Sequence, residues 1–302
     1  MNQTTFFSNK SIALASPAVA AALYMVAAGA AFALVNVSLQ AATMRFGMVS
    51  SAAAFWQYLM ALLFGLPWIV RIGLRVLRTR HLGAHILRVA FAAVGVQFWV
   101  AGLATVPIWQ AIALIMTSPF FVTLGAGLLL GERVGPSRWL ATLIGFGGGM
   151  IILAPWSESF TVATLYPVAA ALCWAATSLM TKRLTASESS QTITLYLLLL
   201  LTPINGVLAA SSGGFAFAGT ASLVLIVFAG AMLTVAQFCI VKAYASADAA
   251  YVQPFDYLKL PLNVFAGWLV FGFVPGGNLW LGALLIVSAS LYIAHREARR
   301  SR

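Results

Sequence analysis

Long apolar runs alternate along the chain with short breaks of charge, serine, glycine or proline. The runs have the length of helices that cross a bilayer, which needs about 20 mostly apolar residues. Ten such windows lie at 18–38, 51–70, 89–106, 108–130, 138–154, 162–181, 192–210, 221–241, 249–271 and 277–294. The breaks between them include Pro107, Gly131-Glu132-Arg133, Pro155, Lys182-Arg183, Ser211-Ser212-Gly213-Gly214 and Pro275-Gly276-Gly277, residue types that end helices. The expected fold is an all-α integral membrane protein with ten transmembrane helices. Residues 1–17 read as a polar cytoplasmic tail closing on Pro17, which suits a first helical turn. The run after it is too long for a signal-peptide core and lacks a clear cleavage site, so it is expected to stay as the first span.

Composition agrees with the pattern. The chain is 62% hydrophobic and 8% charged, where soluble domains carry about 25% charged residues. A net charge of +11 would suit nucleic acid, but the basic residues fall in short clusters between apolar runs, so nucleic acid is not an expected partner. With the N-terminus inside, the basic residues fall as Lys10, five between 71 and 88, two between 131 and 138, Lys182 and Arg183, Lys242, and four in the 295–302 tail. That places 15 of 17 on one side, against Arg45 on the other and Lys259 within a span. The positive-inside rule then sets both termini in the cytoplasm, as expected for a bacterial inner-membrane protein. The Arg71–Arg88 segment is expected along the anionic lipids of the inner leaflet, at about 1 kcal/mol of attraction per basic residue. Cys173 and Cys239 lie in apolar runs without CxxC spacing and read as packing residues.

The chain also repeats itself. An offset of 142 residues lays 25–39 near 166–180, with Val26-Ala27-Ala28 over Val168-Ala169-Ala170 and Phe32 over Trp174. At 141 residues Gly131 meets Gly272, Gly135 meets Gly276 and Trp139 meets Trp280, and at 140 Gln97-Phe98 meets Gln237-Phe238. The repeats are read as 18–154 and 162–294, five spans each. An odd number of spans forces the second copy to insert upside down. Inverted repeats of this kind hold a substrate near the midplane between the two halves.

The run IALIMTSPFFVTLGAGLLLGERVGPSRWLATLIGFGGGMII resembles the closing helices of an EamA repeat, marked by a proline about 12 residues before a Gly-Glu pair, here Pro119 and Gly131-Glu132. QPFDYLKLPLNVFAGWLVFGFVPGGNLWLG resembles the matching end of a second repeat, with Phe273 where that repeat commonly has Glu. The resemblance covers essentially the whole chain and implies a secondary transporter of the drug/metabolite transporter superfamily. AFWQYLMALLFGLPW (54–68) and PIWQAIALIMTSPFF (107–121) are similar to its bacterial riboflavin-transporter branch. Riboflavin uptake is the expected activity on that resemblance, and export of amino acids or related metabolites is the alternative.

No enzyme motif is present: HExxH, GxSxG and Walker loops are all missing. His81 and His85 have the spacing of helical metal ligands, but Arg78, Arg80 and Arg88 beside them would repel a cation. No metal or cofactor is expected. Gly147-Gly148-Gly149 reads as a close helix contact.

The polar groups inside spans are the remaining candidates. At 100° per residue Gln253, Asp256, Tyr257, Lys259 and Asn263 share an arc of about 160°, between Pro254 and Pro261 or just beside them. A charge at membrane depth costs roughly 2.5–3.5 kcal/mol, so Asp256 and Lys259 must face protein or a watered cavity. As helical neighbours three apart they can pair. Two readings stay open: an ion pair that locks the ninth span, or a substrate or proton site. Trp99 and Trp174 fall near mid-span, where they can stack on a flat ligand or pack in the core. Gln97 and Gln110 are buried-amide candidates for a ligand, as Gln57 and Gln237 are for neighbouring helices. Whether the protein is a monomer or a homodimer is left open by the sequence.

Overall fold

The structure, a computed structural model, describes residues 17–105, 114–153, 162–211, 214–217, 219–272 and 278–300. Their regular structure is helical throughout. Eleven α-helices occur among the described residues: α1 (Pro17–Gln40), α2 (Ser50–Ile72), α3 (Leu82–Thr105), α4 (Ser118–Leu129), α5 (Pro136–Leu153), α6 (Leu165–Leu184), α7 (Ser190–Ser211), α8 (Thr220–Ser246), α9 (Ala249–Asp256), α10 (Lys259–Phe271) and α11 (Asn278–Arg300). Five of them, at Pro17–Arg45, Ser50–Ile72, Leu82–Trp99, Ser190–Ser211 and Thr220–Ser246, are long and apolar enough to cross a membrane. α4 and the Trp280–Ile293 part of α11 are shorter apolar helices. The chain is therefore a multi-pass membrane protein.

Packing follows a regular scheme. α1 runs along α8 and touches α10, while α3 runs along α6 and α6 touches α4. α2 packs on α7 and α8, and α5 packs on α11. Small residues set the closest approaches. A Cβ at Gly230 of α8 would lie 2.4 Å from the Met60 Cβ and 2.9 Å from the Ala61 nitrogen of α2. Beside it the Thr234 hydroxyl donates to the Ala61 carbonyl at 2.8 Å. A Cβ at Gly148 of α5 would lie 2.8 Å from the Gly282 carbonyl of α11, the close helix contact expected of the triple glycine.

The expected ninth span is not one helix. It breaks at Tyr257–Leu258, so that α9 ends on Asp256 and α10 starts on Lys259. Pro261 has no N–H to give the Tyr257 carbonyl, which instead takes the Leu260 N–H at 3.0 Å in a tighter turn. The Pro254 carbonyl, freed by the same break, accepts from the Ser290 hydroxyl of α11 at 3.1 Å. α4 is preceded by a similar turn at Met116–Thr117, where the Thr117 hydroxyl caps the Leu114 carbonyl at 2.7 Å and Pro119 follows. α4 and α10 thus begin 141 residues apart, at Ser118 and Lys259. The glycines that follow them, Gly131 and Gly272, have the same spacing and the same left-handed backbone, at φ 68° and 70°.

One expectation is corrected. Arg88 and His85 do not face lipid headgroups, because α3 begins at Leu82 and turns both into the bundle, where they are 1% and 0% exposed. The Arg88 guanidinium donates to the Thr181 hydroxyl at 3.1 Å and the Ile193 carbonyl at 2.7 Å. His85 stacks on Tyr196, ring centroids 4.4 Å apart. Counting basic residues by loop could not reveal these acceptors on other helices.

Candidate functional site

The break in the ninth span creates the site. Ending one helix on Asp256 and starting the next on Lys259 sets the carboxylate beside the ammonium, and the two form an ion pair. Their side chains keep 18% and 24% exposure, so the pair is only partly buried. The Lys259 ammonium also lies over the Phe32 ring of α1, 5.4 Å from its centroid, a cation–π contact. One turn along α10, the Asn263 amide donates to the Lys259 carbonyl at 2.6 Å and accepts from the Asn36 amide at 2.7 Å.

Gly29, Phe32 and Asn36 therefore make the α1 wall of the site. Their spacing of three and four puts them on one helical face. Gly29 leaves little room there: a Cβ would lie 3.2 Å from the Lys259 Cγ and 3.7 Å from its Cα.

The five-residue polar arc does not act as one face. Its two edges meet different neighbours. Lys259 and Asn263 meet α1, while Gln253, 2% exposed, donates to the Tyr244 hydroxyl of α8 at 2.9 Å. Tyr257 is fully buried against Gly145 of α5, where a Cβ would come within 2.5 Å of the ring. Its hydroxyl has no hydrogen-bond partner among the described residues. Gln253 and Tyr257 thus support the turn from within the protein.

The tryptophans form a second group. Trp99 of α3 and Trp174 of α6 lie 6.0 Å apart between ring centroids, tilted by 47°. They approach because Gly95 leaves room, a Cβ there falling 2.8 Å from the Trp174 Nε1. Both pack around Ile115, Ala170 and Ala171 with Met116. Met116 also packs on the group around Tyr257 and Leu260. The two helix interruptions therefore adjoin, with the tryptophans on one side and the ion pair on the other.

Gln97 stands apart from this arrangement. Two residues from Trp99 on the same helix, it points about 200° away and lines an open, apolar groove with Ala93, Val94, Ile204, Val207 and Leu208. Gln110 lies outside the described residues. Phe32, Asn36 and Gly29 were not singled out by the sequence, although Asn36 is a polar residue within an apolar run. Their part depends on which helix meets the ninth span.

As chemistry, the site offers one acceptor and one donor of opposite charge, two amides and a pair of indoles. The indoles can stack on a flat group, and the charges and amides can hydrogen-bond a polar one.

Known proteins share both sequence and shape with this chain. A protein named riboflavin transporter from Rhizobium johnstonii is 58% identical over 302 residues, covering 100% of this chain and 98% of its own. A riboflavin transporter from Vibrio cholerae is 52% identical, covering 93% of this chain and 95% of its own. An S-adenosylmethionine uptake transporter from Rickettsia bellii is 27% identical over 83% of this chain and 85% of its own. One crystal structure of 17% identity has the same fold, with a TM-score of 0.79 over 94% of this chain and 98% of that one. Two consecutive matches, over residues 19–154 and 161–294, show that the chain belongs to the EamA-like transporter family.

Proposed function

We propose that the protein takes up riboflavin across the bacterial inner membrane by alternating access. The observation that carries this reading is near-full-length similarity, at 51–58% identity, to three proteins named riboflavin transporter. The site supports it chemically. Riboflavin has a flat tricyclic ring whose pyrimidinedione edge carries an N–H flanked by carbonyls, and a ribityl chain of hydroxyls. Asp256 accepts the ring N–H, Lys259 donates to a carbonyl beside it, and Asn36 and Asn263 meet the hydroxyls. Trp99 and Trp174 stack on the ring.

In this reading the protein has ten spans, two five-helix inverted repeats at 18–154 and 162–294, and both termini in the cytoplasm. Three observations support the inverted repeat. The helix breaks and the left-handed glycines share one offset. The packing pairs exchange when the halves are exchanged: α1 with α8 becomes α6 with α3, and α1 with α10 becomes α6 with α4. The pairs α2 with α7 and α5 with α11 map onto themselves. A pseudo-twofold axis in the membrane plane relates such halves.

Binding tests the substrate. Riboflavin added to purified protein is expected to raise its melting temperature and to quench tryptophan fluorescence, since a ligand of the folded state stabilises it by mass action. Amino acids are expected to do neither. A shift with an amino acid and none with riboflavin would favour an exporter of amino acids.

A further inference from the structure

The Gly-Glu pair singled out in the sequence lies far along the chain from the ion pair, and the structure gives its acid a task. The corner between α8 and α9 is held by charged side chains from three other places. The Glu132 carboxylate, just after α4, accepts from the Ala249 and Ala250 N–H groups at 2.8 and 3.0 Å. Lys182, in the last turn of α6, donates to the Tyr244 and Ala247 carbonyls at 2.8 and 2.6 Å. Arg138 of α5 pairs with Asp248 at 2.7 Å.

The signs suit the backbone. An anion sits on the free N–H groups that open α9, and a cation sits on the free carbonyls that close α8, so each charge meets the opposite end of a helix dipole. Such charge-assisted bonds are about twice as strong as neutral ones. The helix they hold at its start carries Asp256 at its end.

The other half of the chain lacks this set. At the 141-residue offset Glu132, Arg138 and Asp248 stand opposite Phe273, Leu279 and Pro107. At 142 residues Lys182 stands opposite Gln40. At the opposite end a single cation, Arg45, donates to the Val270 carbonyl of α10 at 2.9 Å, so the matched set of anion, cation and ion pair belongs to the α8–α9 corner.

We propose that Glu132, Lys182 and the Arg138–Asp248 pair form a lock that holds the cytoplasmic end closed around the start of α9 while the transporter is empty. The assignment of sides rests on the orientation given under Proposed function. Glu132 and Lys182 are positioning residues: they act on substrate only by placing the half-helix that ends in Asp256. Entry into the cytoplasm requires the α8–α9 corner to leave these partners, so they set how often the inner gate opens.

Accessibility of α9 tests the lock. Val252 is fully buried on α9, between the corner and Asp256. A Val252→Cys variant, made with Cys173→Ala and Cys239→Ala, is treated with a membrane-impermeant maleimide in inside-out and right-side-out vesicles. The parent is expected to be protected on the cytoplasmic face. Glu132→Gln with Lys182→Met is expected to react at least tenfold faster there and to stay protected from outside. Equal rates in parent and variant would overturn the proposal. Reaction from both faces would show an unfolded variant, and then Glu132→Asp decides, since its shorter carboxylate cannot reach both amides: unchanged protection in that variant overturns the lock. The label requires no transport. If the parent moves no riboflavin while the labels behave as stated, the substrate reading falls and the lock stands. If labelling from the outer face follows this pattern instead, the orientation is reversed and the proposal fails.

Discussion

At the scale of the residue, Asp256 and Lys259 are two charges that cannot be left alone. Removing one partner of an ion pair strands the other, at a cost of about 3 kcal/mol for largely buried pairs. Asp256→Asn and Lys259→Met are each expected to lower the melting temperature, and the double variant to recover most of the loss. All three are expected to lose riboflavin transport. If the double variant transports normally, the pair is a structural lock and the substrate is held elsewhere. A second prediction concerns the wall opposite. Gly29→Val is expected to push Lys259 aside and weaken riboflavin binding several-fold by fluorescence titration. Gly147→Ala, where a Cβ meets nothing within 4 Å, is expected to change nothing. The charges were legible in the sequence because ionised groups are conspicuous in an apolar run. Phe32 and Asn36 were not, because an aromatic and an amide on a spanning helix acquire meaning only from the helix that packs against them.

At the scale of the element, the interruptions matter more than the helices. Proline removes a backbone donor, and two prolines near a turn make a continuous ladder costly. Pro261→Ala restores an N–H for the Tyr257 carbonyl and is expected to raise the melting temperature while lowering the transport rate, as a continuous ladder stiffens the turn between Asp256 and Lys259. A higher rate in this variant would contradict the site. In the sequence Pro254 and Pro261 each remove a backbone donor and so can open the ladder, while the 100° periodicity treats the span as one unbroken helix. That assumption put five polar residues on a single face, whereas the break and the neighbours divide them into an ion-pair edge and a buried edge of Gln253 and Tyr257. On α3 a helix turns Gln97 and Trp99, two residues apart, to opposite sides. Trp99→Ala and Trp174→Ala are each expected to weaken riboflavin binding by about 1–2 kcal/mol, with Phe recovering part of it. Unchanged affinity in both would assign the indoles to packing.

At the scale of the whole molecule, length and hydropathy were enough to read a membrane bundle, and the motif around Pro119 and Gly131-Glu132 to read its family. The depth of Arg88 was hidden, because the positive-inside rule counts charges and says nothing of the hydroxyl and carbonyl acceptors that let one enter a bundle. Orientation is open to direct test: a cysteine at Val49 is expected to react with an impermeant reagent added outside intact cells, and one at Ser187 only after the membrane is opened. The central claim is that this chain carries riboflavin through the site at Asp256 and Lys259. Riboflavin counterflow in proteoliposomes tests it most directly, with purified parent and the Asp256→Asn, Lys259→Met double variant side by side. The parent is expected to exchange labelled riboflavin against an internal unlabelled pool, and the folded double variant not to exceed empty liposomes. No exchange by the folded parent, or equal exchange by both, would contradict the account.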